Sequence, residues 1–143
     1  MTIEEIEEMW KKDSVIDPDN LHEESLKIPQ LHSKYHNIHN MITLLRERAR
    51  ETYSTVYLER HNYYTGKAPA EVYVENPFPY KVRDKDALQR HIDADERLNK
   101  LDMKIRYYNV MLKFLEDIIK TIHNRGFQIK NSIDFMKFTA GYN

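Results

Sequence analysis

The sequence predicts an all-α protein: an antiparallel hairpin of two long helices with short N-terminal and C-terminal helices, assembled as a homo-oligomer. Three observations lead there. Apolar residues recur at heptad spacing along two long stretches that contain neither glycine nor proline. Only three glycines and five prolines occur in 143 residues, too few for a barrel or sandwich that turns about every dozen residues. The terminal segments also carry more large apolar side chains than one helical hairpin can cover.

Residues 1–28 read as acidic N-terminal helices. Thr2 followed by Glu5 makes a capping box for a helix to about Lys12, with Ile3, Ile6, Met9 and Trp10 on one face. Asp17-Pro18-Asp19-Asn20 is a turn in which Asn20 or Asp17 can cap a second short helix. Pro29 suits the first turn of the first long helix, expected over 29–65. Its seam is Leu31, Tyr35, Ile38, Ile42, Leu45, Ala49, Thr52, Val56, Glu59 and Tyr63, in alternating steps of four and three. Gly66 is placed to cap its end.

Residues 66–84 hold Pro69, Pro77 and Pro79 with aromatics between them, which predicts a non-helical crossover. Asp84 can cap the second long helix, expected over 85–125. Its seam runs Leu88, Ile92, Asp95, Leu98, Leu101, Ile105, Tyr108, Leu112, Leu115, Ile119 and Ile122. Gly126 is expected to end it, with Arg125 near the negative end of the helix dipole. A C-terminal helix over 127–140 would then present Phe127, Ile129, Ile133, Met136 and Phe138 for contact with other subunits. The whole is expected to form a single helical domain.

The chain has no cysteine, which removes disulfides, thiolate metal sites and cysteine nucleophiles and fits a reducing cytoplasm. Its acidic N-terminus is the opposite of a secretory signal, and no apolar run approaches the roughly 20 residues that span a bilayer. Residues 1–25 carry nine acids against Lys11 and Lys12, a net of −7. Residues 26–143 carry fourteen acids and twenty basic residues, a net of +6, leaving −1 in all. Such an acidic head on a basic body suits a polyanion-binding surface with a charged appendage, or reflects an unevenly charged solvated face.

Little in the sequence organises a reaction, and no enzyme, metal or cofactor is expected. His32, His36 and His39 share a helix face, but no carboxylate joins them at ligand spacing. Neither a glycine-rich phosphate loop nor a Gly-x-Ser-x-Gly elbow occurs. A binding surface is better marked. Arg46, Arg48, Arg50 and Arg60 lie in the second half of the first long helix, Tyr63 and Tyr64 at its end, and Lys67 just beyond. Lys81, Arg83, Lys85 and Arg90 lie where the crossover returns. Cations that track phosphates, with rings that stack on exposed bases, are what a single-stranded nucleic acid needs. Alternatively, Tyr63 and Tyr64 pack the crossover as core residues.

Three segments carry a resemblance. The ending Arg125-Gly126-Phe127, Ile129-Lys130, Asp134, Phe138 and Ala140-Gly141 resembles that of the UvsY recombination mediator family of T4-type bacteriophages. Lys11-Lys12-Asp13 with Ile16-Asp17 resembles the family's N-terminal segment, and Tyr63-Tyr64-Thr65-Gly66 resembles its Tyr-Tyr-Ser-Gly. The resemblance implies a mediator, acting without nucleotide hydrolysis in an infected bacterial host, that forms a hexameric or heptameric ring. It implies binding to single-stranded DNA, help in loading the phage recombinase UvsX, and displacement of the phage single-stranded DNA-binding protein. The family's DNA-contacting basic pair precedes the tyrosines: Arg60 matches its arginine, while Leu58 stands in place of its lysine. Arg46, Arg48, Arg50 and Lys67 are the cations available to substitute for that lysine. The family's C-terminal helix is associated with oligomerisation. The competing readings are a structural coiled-coil adaptor without nucleic-acid binding, and a helical protein holding metal through His32, His36 and His39.

Overall fold

A computed structural model describes residues 1–141, and every regular element in that range is a helix. The helices are α1 (Ile3–Asp13), α2 (Leu21–Leu26), α3 (Ile28–Tyr64), α4 (Ala70–Glu75), α5 (Lys85–Asp93) and α6 (Glu96–Thr139). They are organised as two compact units. Unit 1 comprises residues 1–42 with those from 110 onward, and unit 2 comprises residues 43–109. No helix among the described residues is long and apolar enough to cross a membrane.

In unit 1 the capping box forms as its sequence requires. The Glu5 amide donates to Thr2 Oγ1 at 3.2 Å and the Thr2 amide donates to Glu5 Oε2 at 3.1 Å, satisfying two otherwise unpaired helix-end donors. Asn20 occupies the start of α2, yet its side-chain amide donates to Asp17 Oδ2 at 2.7 Å instead of capping that helix. Ile6, Tyr35, Ile42, Leu115 and Ile122 are buried here, and the Trp10 and Tyr35 rings meet edge-on at 5.5 Å.

The buried stripe of α3 is narrower than a two-position seam. Tyr35, Ile42, Ala49, Val56 and Tyr63, one heptad apart, are all buried, whereas the alternate positions are at most half-buried and Thr52 and Glu59 are exposed. A single buried line suffices where polar side chains take the flanks. At its end Gly66 adopts φ +78°, the Lys67 amide donates to the Asn62 carbonyl at 2.8 Å, and the Gly66 amide reaches the Tyr63 carbonyl at 3.4 Å. This paired arrangement is the Schellman cap, and the left-handed turn explains glycine at that position.

Three boundaries differ from the sequence-based expectation. The crossover holds a short helix, α4, whose Tyr73 ring stacks on Tyr63 at 5.4 Å and donates its hydroxyl to the Tyr63 carbonyl at 2.8 Å. Its formation follows a tertiary contact, which local propensity does not report. The helix expected over 85–125 is divided at Ala94 and Asp95, where Asp95 Oδ1 accepts from the Leu98 amide at 3.0 Å and so starts α6. Finally, Gly126 does not end a helix: α6 runs through it to Thr139, so no separate C-terminal helix begins at residue 127. The buried residues Met111, Leu115, Ile118, Ile122, Arg125 and Ile129 keep steps of four and three across the glycine. Burying Ile129 in phase offsets the roughly 1 kcal/mol that a mid-helix glycine costs. At this end of α6 the left-handed conformation belongs to Gly141, φ +82°, whose amide donates to the Phe138 carbonyl.

Arg125 has a different partner from the one its position suggests. It is 3% exposed, and its guanidinium donates to the carbonyls of Asp13, Ser14 and Val15 at 2.9, 3.2 and 3.0 Å. It therefore closes the C-terminal end of α1, where unpaired carbonyls and the helix dipole both favour a cation.

Candidate nucleic-acid interface

All nine residues marked by sequence as nucleic-acid contacts lie in unit 2, but the structure separates them into groups. At about 100° per residue, Arg48 and Arg50 fall on opposite flanks of the stripe that buries Ala49. Arg50 donates to Glu47 at 2.8 Å, and Arg46 is held by the same carboxylate at 3.2 Å and by Asn109 Oδ1 at 3.0 Å. Arg48 is exposed. These three arginines thus do not form one patch, and two of them share an acid.

Arg60 faces inward. Its Nε donates to Asp95 Oδ2 at 2.6 Å, and its guanidinium lies 4.3 Å from the Tyr63 ring centre and 5.1 Å from that of Tyr64. Tyr64 donates its hydroxyl to the same Asp95 oxygen at 2.6 Å. The Asp95 side chain is 2% exposed. Burial pushes its carboxyl upward, but hydrogen bonds from Tyr64, the Leu98 amide and Arg60, with the charge of Arg60, hold it below the ordinary aspartate value. Burial together with the bond to Asp95 pushes the Tyr64 hydroxyl upward, so it stays protonated and donating. By heptad spacing alone Asp95 is a member of the apolar seam. The usable signal for its actual role is an acid in cap position, followed by Glu96 in the first turn.

Around this knot the aromatics of the crossover pack on Tyr63 and Tyr64, as the alternative reading of those two residues as core expects. Phe78 meets Tyr63 at 5.4 Å, Tyr64 at 5.2 Å and His91 at 5.1 Å, and Tyr80 rests on Phe78 at 5.7 Å. Tyr63 is only 7% exposed, and its hydroxyl donates to the Asn76 carbonyl at 2.8 Å. Val56, Ile92 and Leu98 form the buried cluster of this unit, with Tyr53, Tyr57, Tyr64, Leu88 and Leu101 packed against it.

Two of the openings beside Tyr63 adjoin the crossover. One, of about 330 Å³, is lined by the Thr65–Gly66 turn, the rings of Tyr63, Tyr64, Tyr73, Phe78 and Tyr80, and the segment from Lys81 to Arg83. The other, also about 330 Å³, lies between Glu59, Arg60, Lys67, Val72 and Arg97, with Tyr63 its one aromatic. Lys67, Lys81 and Arg83 are exposed, so the crossover places Lys81 and Arg83 at an aromatic-walled opening and Lys67 at a second one that Tyr63 also borders. Such an arrangement can hold an anion at its rim and a planar group against its rings.

The C-terminal apolar residues are all in unit 1. Phe127, Ile133, Met136 and Phe138 are exposed, as is Phe135, whereas Ile129 is 3% exposed and turned into the unit's own core. Ile129 is therefore not available as a surface contact. His36 and His39 line a pocket with Glu116, Lys120 and His123, while His32 is outside it. Among the described residues no group of three histidine or acidic side chains is arranged to hold a metal ion.

Comparison with known proteins covers nearly the full chain. Residues 9–142 match the family described as "Recombination, repair and ssDNA binding protein UvsY". The chain is 28% identical over 141 residues to the "Recombination protein uvsY" of Enterobacteria phage T4, covering 99% of both sequences. It is also similar to crystal structures of the bacteriophage T4 recombination mediator protein UvsY. In lattice type II the TM-score is 0.86 at 28% identity, with 98% of each chain covered. In lattice type I it is 0.84 at 27% identity, covering 94% of this chain and 98% of that one.

Proposed function

Because the chain belongs to the UvsY family of recombination, repair and single-stranded-DNA-binding proteins, we propose that it is a recombination mediator acting by binding, without hydrolysing nucleotide. It binds single-stranded DNA, promotes displacement of the single-strand-binding protein, and so helps load a recombinase of the UvsX kind. The observation that carries this reading is the set of exposed cations at the crossover, with Lys81 and Arg83 at an aromatic-walled opening and Lys67 at the neighbouring one, in a chain similar over nearly its whole extent to a recombination mediator. Cations there neutralise phosphates and release counterions, a sequence-independent attraction suited to a strand of any sequence.

The protein works as a homo-oligomer, with exposed Phe127, Ile133, Met136 and Phe138 joining subunits. Many linked copies of a modest site then bind one strand tightly through effective concentration. A hexameric or heptameric ring is the assembly we favour.

Fluorescence anisotropy with a labelled oligothymidylate at several salt concentrations tests the binding step. Lys67→Ala and Arg48→Ala are each expected to flatten the log–log salt slope by about 0.7 for each phosphate that is no longer neutralised. Recombinase assembly on a strand already coated by single-strand-binding protein tests mediation. Assembly should be slow alone and accelerated by this protein. A well-folded oligomer that ignores single-stranded DNA even at low salt would instead favour a structural adaptor.

A further inference from the structure

The rings expected to stack on bases are already engaged. Tyr63 is buried between the stacked ring of Tyr73 and the guanidinium of Arg60. Tyr64 is committed at its hydroxyl to Asp95, and its ring stacks on His91 at 5.5 Å with an interplanar angle of 26°. Opening either ring to a base would break a buried ion-pair network or strip the end of α3 of its packing.

Tyr80 differs from both. It is 66% exposed and is the outermost ring of the cluster, supported by Phe78 at 5.7 Å and His91 at 5.8 Å. Phe78 is itself fixed against Tyr63 and Tyr64, so Tyr80 stands on a rigid aromatic floor while much of its surface meets solvent. Pro77 and Pro79 keep this segment out of a helix. The next cations, Lys81 and Arg83, are exposed and line the same opening. A large aromatic left in water beside two cations has a poor account as packing and a good one as a stacking platform for an unpaired base.

We propose that Tyr80 is the ring on which a base of single-stranded nucleic acid stacks, with Lys81 and Arg83 taking the adjoining phosphates at the same opening. The proposal rests on the single-strand-binding reading above and sharpens it. Arg60, Tyr63 and Tyr64 become positioning residues that hold the floor beneath the site. Because every base has a π-face, such a platform binds without reading sequence.

The full-length protein is first titrated with oligothymidylate. Tyr80→Ala is expected to weaken binding about tenfold, as removal of a base-stacking ring does, with the salt slope unchanged. Tyr80→Phe should bind as the parent does, since the ring and not the hydroxyl is used. Lys81→Ala with Arg83→Ala should flatten the slope by about 1.4, twice the contribution of one phosphate on a single strand. Photocrosslinking of the unaltered protein to an iodouracil-substituted strand, mapped by mass spectrometry, should mark Tyr80 and needs no variant to fold. A crosslink at Tyr63 or Tyr64 instead, or parental affinity in a folded Tyr80→Ala, overturns the proposal while leaving single-strand binding intact. Absence of binding by the parent protein overturns both.

Discussion

The Asp95 carboxylate accepts from Arg60, Tyr64 and the Leu98 amide at a site almost without solvent. Removing one member of such a buried pair leaves the other charge uncompensated. Asp95→Ala and Arg60→Ala are each expected to cost about 3 kcal/mol in urea unfolding. By contrast, Arg97→Ala breaks only the exposed pair with Glu59 and should cost well under 1 kcal/mol. The sign of the pH dependence follows from the lowered Asp95 carboxyl. A group whose folded value lies below its unfolded one stabilises fully above the unfolded value, about pH 4, and loses that contribution as pH falls through the folded value. Asp13 acts in the same direction. Burial raises its carboxyl, while hydrogen bonds from Lys34 and Tyr35, with the charges of Lys34 and Arg125, more than reverse that. Thermal unfolding followed from pH 7 to pH 3 should therefore show a stability drop that is smaller in Asp95→Asn than in the parent. An identical acid limb in the variant would mean that Asp95 does not carry it.

The helices show which local signals survive folding. The Thr2–Glu5 capping box, the Asp84 cap of α5 and the Gly66 turn each form as the local sequence dictates, because each is completed within a few residues. The Gly126 signal fails because the apolar period continues in register through it to Ile129. A glycine that caps and a glycine that is merely tolerated are distinguished by substitution. Gly126 has a helical backbone with open space where an alanine methyl group would sit, so Gly126→Ala should stabilise by about 0.5–1 kcal/mol. Gly66 has the left-handed φ of +78°, so Gly66→Ala should destabilise by about 1 kcal/mol even though space is equally free. Paired thermal melts of the two variants decide this, and equal shifts of the same sign would contradict the assignment. The break between α5 and α6 is harder to read, since it has neither glycine nor proline and depends on Asp95 finding partners 31 and 35 residues away.

Across the whole molecule the candidate surfaces fall in different units. The crossover cations and their aromatic floor belong to unit 2, and the exposed apolar end of α6 belongs to unit 1. Disrupting one should therefore leave the other folded. Phe135→Asp with Phe138→Asp is expected to reduce the mass measured by light scattering while the helical circular-dichroism signal persists. On the proposed assembly, in which linked copies share one strand, single-strand affinity should fall with it. A variant that remains at the parental mass would remove this end of α6 from the assembly. Arg125→Met tests unit 1 alone. Without its three charge-assisted bonds to the end of α1, that unit should be destabilised by about 3 kcal/mol.

The helical class, the long first helix with its capped end, and the region where cations and aromatics gather are all legible in the amino-acid order. They follow from apolar period, scarce turn residues and charge, which act over short stretches of chain. Which members of that region face solvent is a matter of packing between distant segments. Tyr63, Tyr64 and Arg60 carry the same chemistry as Tyr80, Lys81 and Arg83, but Asp95 and the crossover rings draw the first set inward. Likewise Ile129 and Phe127 are alike in composition, and the phase of the buried line on α6 turns one in and leaves the other out. Residue type sets what a side chain can do, whereas burial and partners brought from distant positions set whether it is free to do it.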